Sequence, residues 1–156
     1  MRLASLVILA MLAGCSGDSS PTGPDGPVAF TEIYRDKASN LTTRRAEIVS
    51  RDSRWDALWT EIRGSASNKP AVDFEKNILI VAALGETGDS CKHVRITGVA
   101  RSLGALNVTI AETRLPPSCV CPPNTVRPVH IVSVPRAASN ASFTWTTLTE
   151  GNPCIN

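Results

Sequence analysis

Apolar and polar positions alternate along much of the chain, and one stretch breaks the pattern at helical spacing. Val94 and Ile96 alternate with Arg95 and Thr97; Leu106, Val108 and Ile110 alternate with Asn107, Thr109 and Ala111. A two-residue period is that of a strand with one face buried. The intervening RSLG predicts a hairpin turning near Ser102, Leu103 and Gly104. Residues 78–84, ILIVAAL, are apolar without a break, as in a central strand covered on both faces. Residues 31–35, 43–50, 129–134 and 143–148 are the remaining candidate strands. The last two flank a connection containing Ser139 and Asn140, which predicts a second hairpin.

The interruption reads SRWDALWTEIRG. Trp55, Leu58, Trp59 and Ile62 fall at i, i+3, i+4 and i+7, one continuous apolar face. Ser53 is placed to cap, Asp56 to complete an acidic capping box, and Gly64 to end the helix. At this spacing the tryptophans read as a plug closing a sheet rather than as a ligand platform. One helix followed by five strands, mostly linked as hairpins, predicts an α+β fold. It would be one N-terminal amphipathic helix packed on a mostly antiparallel sheet of about five to seven strands.

The first residues change the picture. MRLASLVILAMLAGC has a positive Arg2, an apolar stretch too short to span a bilayer, and Leu12-Ala13-Gly14-Cys15. This resembles the lipobox of bacterial lipoproteins, which implies a signal peptide over residues 1–14 and a lipid on Cys15. Multiple acyl chains anchor a protein stably. Residues 16–27, SGDSSPTGPDGP, hold nothing that can bury apolar surface, so residues 15–28 read as a lipidated cysteine with a disordered tether. The domain would then be residues 29–156, held at the cell envelope outside the cytoplasm. Ser16 favours the outer membrane in a host that has one.

Export decides how the cysteines are read. With Cys15 assigned to lipid, Cys91, Cys119, Cys121 and Cys154 remain, an even set in an oxidising compartment. Extending the two hairpins predicts Cys91–Cys119 and Cys121–Cys154, with Cys91–Cys121 and Cys119–Cys154 as the alternative. A Cys119–Cys121 bond would close a strained small ring. A metal reading would use Cys91, His93, Cys119, Cys121 and His130, but zinc sites space cysteine pairs by about two to four residues and here the spacing is one. Proline flanks do not suit a redox Cys-x-x-Cys pair at a helix N-terminus. Staples are expected, with neither metal nor cofactor.

The net charge is +2, or +1 without Arg2, and no cluster of Lys and Arg stands out, so nucleic acid is not an expected partner. None of the common hydrolase, metalloprotease or nucleotide-binding motifs occurs. His130, inside a strand-like run, reads as packed rather than as a general base. The pairs Asp73/Glu75 and Glu86/Asp89 read as solvated. The expectation is a protein without catalytic residues.

The order of elements carries a further indication. A W-x-x-L-W helix (Trp55 to Trp59) precedes V-D-F-E-K at residues 72–76, an apolar strand ending at Gly85, a Thr87-Gly88 loop before a hairpin, and P-V-H-I-V-S-V-P at residues 128–135. Over residues 50–135 this resembles the PrcB-type C-terminal domain, a family named for a lipoprotein subunit of a surface protease complex. Where the family reads Thr-Gly-Gly-Tyr, this chain has Asp89, Ser90 and Cys91 after Thr87-Gly88, which implies a different partner.

The resemblance implies a non-catalytic, membrane-tethered accessory domain that docks or stabilises a surface or periplasmic protease. The alternative is a protease inhibitor presenting a rigid, stapled, proline-rich loop. In either case the expected contact surface is Glu86, Thr87, Gly88, Asp89 and Ser90 together with Pro122, Pro123 and Asn124.

Overall fold

The computed structural model describes residues 24–116, 119–136 and 140–149. The elements run β1 (Gly26–Pro27), β2 (Thr31–Asp36), β3 (Arg45–Val49), α1 (Asp52–Arg63), β4 (Asn77–Ala83), β5 (His93–Ser102), β6 (Ala105–Arg114), β7 (Val129–Pro135) and β8 (Ala141–Thr149). They form two four-stranded sheets, one in the order β1-β5-β6-β8 and the other β2-β7-β4-β3. Every pairing is antiparallel except β6 with β8.

The core has two layers, and β4 feeds both. Ile78, Ile80 and Ala82 join Val132 and Val134 of β7 against Val94, Ile96 and Val99 of β5 and Leu106, Val108 and Ile110 of β6. The alternate residues Leu79, Val81 and Ala83 point the other way, into a cluster with Trp55, Leu58, Trp59 and Ile62 of α1. An uninterrupted apolar run is what a strand needs when both of its faces are covered. The half-exposed hairpin β5–β6 needs only alternation, because its far face meets solvent.

The α+β expectation of a helix on one sheet is therefore corrected: the protein is mostly β, with two sheets and one short helix. The alternating strands do not extend the sheet that holds β4. They make a second sheet that buries their apolar side against it.

The expected hairpin between residues 129–134 and 143–148 is also corrected. β7 is buried at nearly every position and lies between β2 and β4, whereas β8 runs parallel to β6 in the opposite sheet. In β8 only Ala141, Phe143 and Trp145 pack inward, at every second residue, which suits an edge strand.

At the helix, the N-cap is Arg51 in extended conformation with no side-chain capping bond, so Ser53 lies inside α1 rather than at its start. Gly64 does end it, at φ 72° with its N–H bonded to Thr60 O. The two indole N–H groups donate to Pro70 O (2.9 Å) and Ser67 O (3.0 Å), satisfying the polar edge of each buried ring.

The tether reading of residues 15–28 is corrected at its described end. Gly26–Pro27 pairs with Arg101 and Ala100 of β5, and Val28 donates to Val99 O while packing on the inter-sheet core. Residues 1–23, with Cys15, lie outside the described residues. The hairpin near Ser102 forms as expected: Ser102 pairs with Ala105 across Leu103 (φ 52°) and Gly104 (φ 75°), the twist that a two-residue turn requires.

Candidate functional site

The chain crosses from one sheet to the other at residues 84–92, between β4 and β5, and again at residues 115–128, between β6 and β7. Both crossings leave from one end of the sandwich. Ala83 at the end of β4 pairs with Val129 at the start of β7, and His93 at the start of β5 pairs with Thr113 near the end of β6. The two loops therefore run side by side, antiparallel, and they bond to each other. Thr87 and Val126 exchange backbone hydrogen bonds at 2.9 Å each way. Ser90 donates from its N–H (3.4 Å) and its hydroxyl (2.9 Å) to Pro122 O.

One step further along this register lies the disulfide Cys91–Cys121, with Cα atoms 5.6 Å apart. The expected Cys91–Cys119 bond is thus corrected. Extending the β5–β6 hairpin alone brings Cys91 opposite residue 115, but the loop then folds back along residues 86–91, and that second pairing sets Cys121 beside Cys91. The expected Cys121–Cys154 bond is excluded in turn, and Cys154 lies outside the described residues. Cys119 is disulfide-bonded too.

The loops are also fixed to the body. Gly85, at φ 76°, lies so close to the backbone of Thr42, Thr43 and Arg44 that an added Cβ would sit 2.7 Å from Arg44 N. Glu86 donates its N–H to Thr42 O, and Leu84 to Pro128 O. Arg127 gathers the rest. Its guanidinium holds Glu86 Oε2 at 2.6 and 3.0 Å, its N–H donates to Lys37 O, and its carbonyl accepts the Ser39 hydroxyl at 2.6 Å.

All eight expected contact residues belong to this double loop. Glu86, Gly88, Pro122, Pro123 and Asn124 are exposed; Thr87, Asp89 and Ser90 are half-buried where the loops meet. The sequence placed Val120 within the proline-rich loop 116–127 without singling it out; it is 87% exposed between two disulfide-bonded cysteines. Its signal was the C-V-C triplet itself, since staples on both sides leave the middle side chain nowhere to turn inward.

Asp89, Cys91 and Cys121 also lie close together. The two sulfurs are bonded to each other, and Asp89 Oδ1 accepts the Cys91 N–H at 2.9 Å, so the group offers no thiolate to a metal.

The chain matches no family model, no curated protein and no solved structure.

His130 sits away from the double loop, between the sheets. It is buried, its Nδ1 accepts the Ile96 N–H at 2.8 Å, and its Nε2 lies 3.0 Å from Glu32 Oε2. An accepting Nδ1 leaves the proton on Nε2, which donates to the carboxylate. Burial pushes the imidazole below its ordinary pKa, against the opposing pull of Glu32. The residue ties β7 to the edge of β5.

Proposed function

We propose that the protein is a non-catalytic binding domain of the bacterial cell envelope, tethered to the membrane through lipid on Cys15, and that it docks another envelope protein through its stapled double loop. The observation that carries this reading is the mutual bracing of residues 86–91 and 121–127 by a disulfide, a backbone bridge and the Arg127–Glu86 pair. A sandwich needs a crossing loop only to connect its sheets. Here two crossings are joined into one exposed surface with little left to order on binding, which lowers the entropy lost in a complex. The leader, the lipobox and the PrcB-type resemblance support an anchored accessory role beside a protease.

A photo-crosslinking amino acid at position 120 tests this. Leu103 is the control: it is 94% exposed and lies at the far end of the β5–β6 hairpin. A discrete adduct from position 120 and none from position 103 is the expected result. Equal adducts, or none from either, would remove the double loop as the docking surface.

A second reading, protease inhibitor, is favoured by Val120 alone. An apolar side chain projecting between two anchored cysteines suits insertion into a small apolar specificity pocket. Excess protein added to the captured protease separates the two: an inhibitor lowers its activity, and an accessory subunit preserves it.

A further inference from the structure

The sandwich has a second feature beside the double loop. β1 covers β5 only at Ala100 and Arg101, so among the described residues β5 has no strand neighbour on that side over residues 93–97. β2 is likewise the last strand of its sheet. The two uncovered edges face one groove made of two adjoining hollows, of about 590 Å³ and 470 Å³, which share Arg35 and Arg95. Lys37 and His93 line the larger hollow, and Lys37 Nζ spends one N–H on Ser90 O at 3.3 Å.

The cations of this groove outnumber the carboxylates free to answer them. Asp36 is fully engaged: Oδ2 takes the Tyr34 hydroxyl (2.7 Å) and Arg63 (3.2 Å), and Oδ1 takes the Ala38 N–H (2.9 Å). Glu32 accepts from His130 and reaches Arg35 only at 3.6 Å. Arg95 is exposed and makes no ion pair among the described residues. Gathering like charges into a cleft is unfavourable unless a ligand of opposite sign completes it, and such a cleft draws anions toward it.

The hollows are far larger than one inorganic anion needs, since a water occupies about 30 Å³. They lie end to end along the strand edges. From this shape and charge we infer that the groove between β2 and β5 binds an extended acidic peptide segment, with Arg35 and Arg95 meeting its carboxylates at the centre and Lys37 at one end. An arginine fork pairs a carboxylate through two parallel N–H bonds. The groove meets the double loop at Lys37, but Arg35 and Arg95 belong to strands outside that surface, so the inference does not depend on the docking proposal.

Fluorescence anisotropy of a dye-labelled hexaglutamate peptide, titrated with the full disulfide-bonded chain, tests the inference. Saturable binding that weakens with added salt is expected, with no binding of hexaglutamine. Arg35→Glu and Arg95→Glu should each weaken it about tenfold or more, while Arg95→Lys keeps most of it. Both arginines replaced are exposed, and unchanged thermal melts would confirm folding. Failure to saturate, equal binding of hexaglutamine, or indifference to both charge reversals would overturn the inference. Inorganic phosphate competing as well as the peptide would also overturn it, leaving a site for single anions. Val120→Asp should bind hexaglutamate as the wild type does, so the two surfaces can fail independently.

Discussion

Cys91 and Cys121 lie in different crossovers between the same two sheets, with their Cα atoms 5.6 Å apart at the end of a run of loop-to-loop hydrogen bonds. Neither strand register alone specifies that contact. It follows from the second crossing folding back along the first, and it turns two connections into one surface.

Peptide mapping without reduction should recover a Cys91–Cys121 peptide and no Cys91–Cys119 peptide. The bond spans 30 residues, so replacing both cysteines by serine should cost about 3–4 kcal/mol in the chain-entropy account, read as a lower urea midpoint. The sheets should persist by circular dichroism, because neither core cluster depends on residues 115–128 apart from the strand residues they lead into.

Replacing His130 by alanine would leave the Ile96 N–H without its acceptor and open a hollow between the sheets. A loss of about 2–4 kcal/mol is expected in urea titration. A loss under about 0.5 kcal/mol would show that His130 is not the tie described here.

Acid should weaken the fold in two windows. His130 has a folded pKa below its ordinary 6.5, so the unfolded chain takes up its proton first. Its contribution is complete above about pH 6.5 and fades as pH falls through the lowered folded value. Glu112 follows. Burial alone would raise its pKa, but hydrogen bonds from Arg114 (3.0 Å) and Lys92 (3.2 Å) hold it below the ordinary 4.5. Its contribution is present above about pH 4.5 and is lost as pH falls through the folded value. Urea midpoints measured from pH 8 to 3 should show both declines, and Glu112→Gln should reduce only the lower one, which Asp36 and Glu61, also held below their ordinary values, share.

Gly85→Ala should be among the most damaging single changes. It forces a Cβ within 2.7 Å of backbone at a φ of 76°, where neither strain nor contact can relax without moving the first crossover. A destabilisation of about 3 kcal/mol or more is expected by urea titration. A similar added methyl at Gly88, where nothing lies within 4 Å, should cost less than about 1 kcal/mol.

Much of this fold was legible in short-range pattern. The period of Trp55, Leu58, Trp59 and Ile62 marks a helix, the unbroken residues 78–84 mark a doubly covered strand, and Leu103-Gly104 marks a turn, because each depends on neighbours in sequence. The partition of strands between two sheets was not legible. Alternation in β6 says that one face is buried without saying what buries it, and β8 pairs directly with β6 although β7, which lies between them in the chain, belongs to the other sheet. The same limit governed the site. Residues 86–90 and 122–124 stood out as loops flanked by cysteines, but their pairing is a long-range register. The β2–β5 groove left no trace in sequence, since Arg35 and Arg95 are ordinary exposed positions of two separate strands until the sheets stack.

Docking on the double loop is best tested by quantitative capture of the tagged full-length chain from gently solubilised host membranes, beside a variant carrying alanine at Glu86, Asp89, Val120 and Asn124. One stoichiometric envelope protein is expected with the wild type, and its loss with the variant, at equal recovery of folded chain. A chain that elutes alone, or a partner retained in full by the variant, would contradict it.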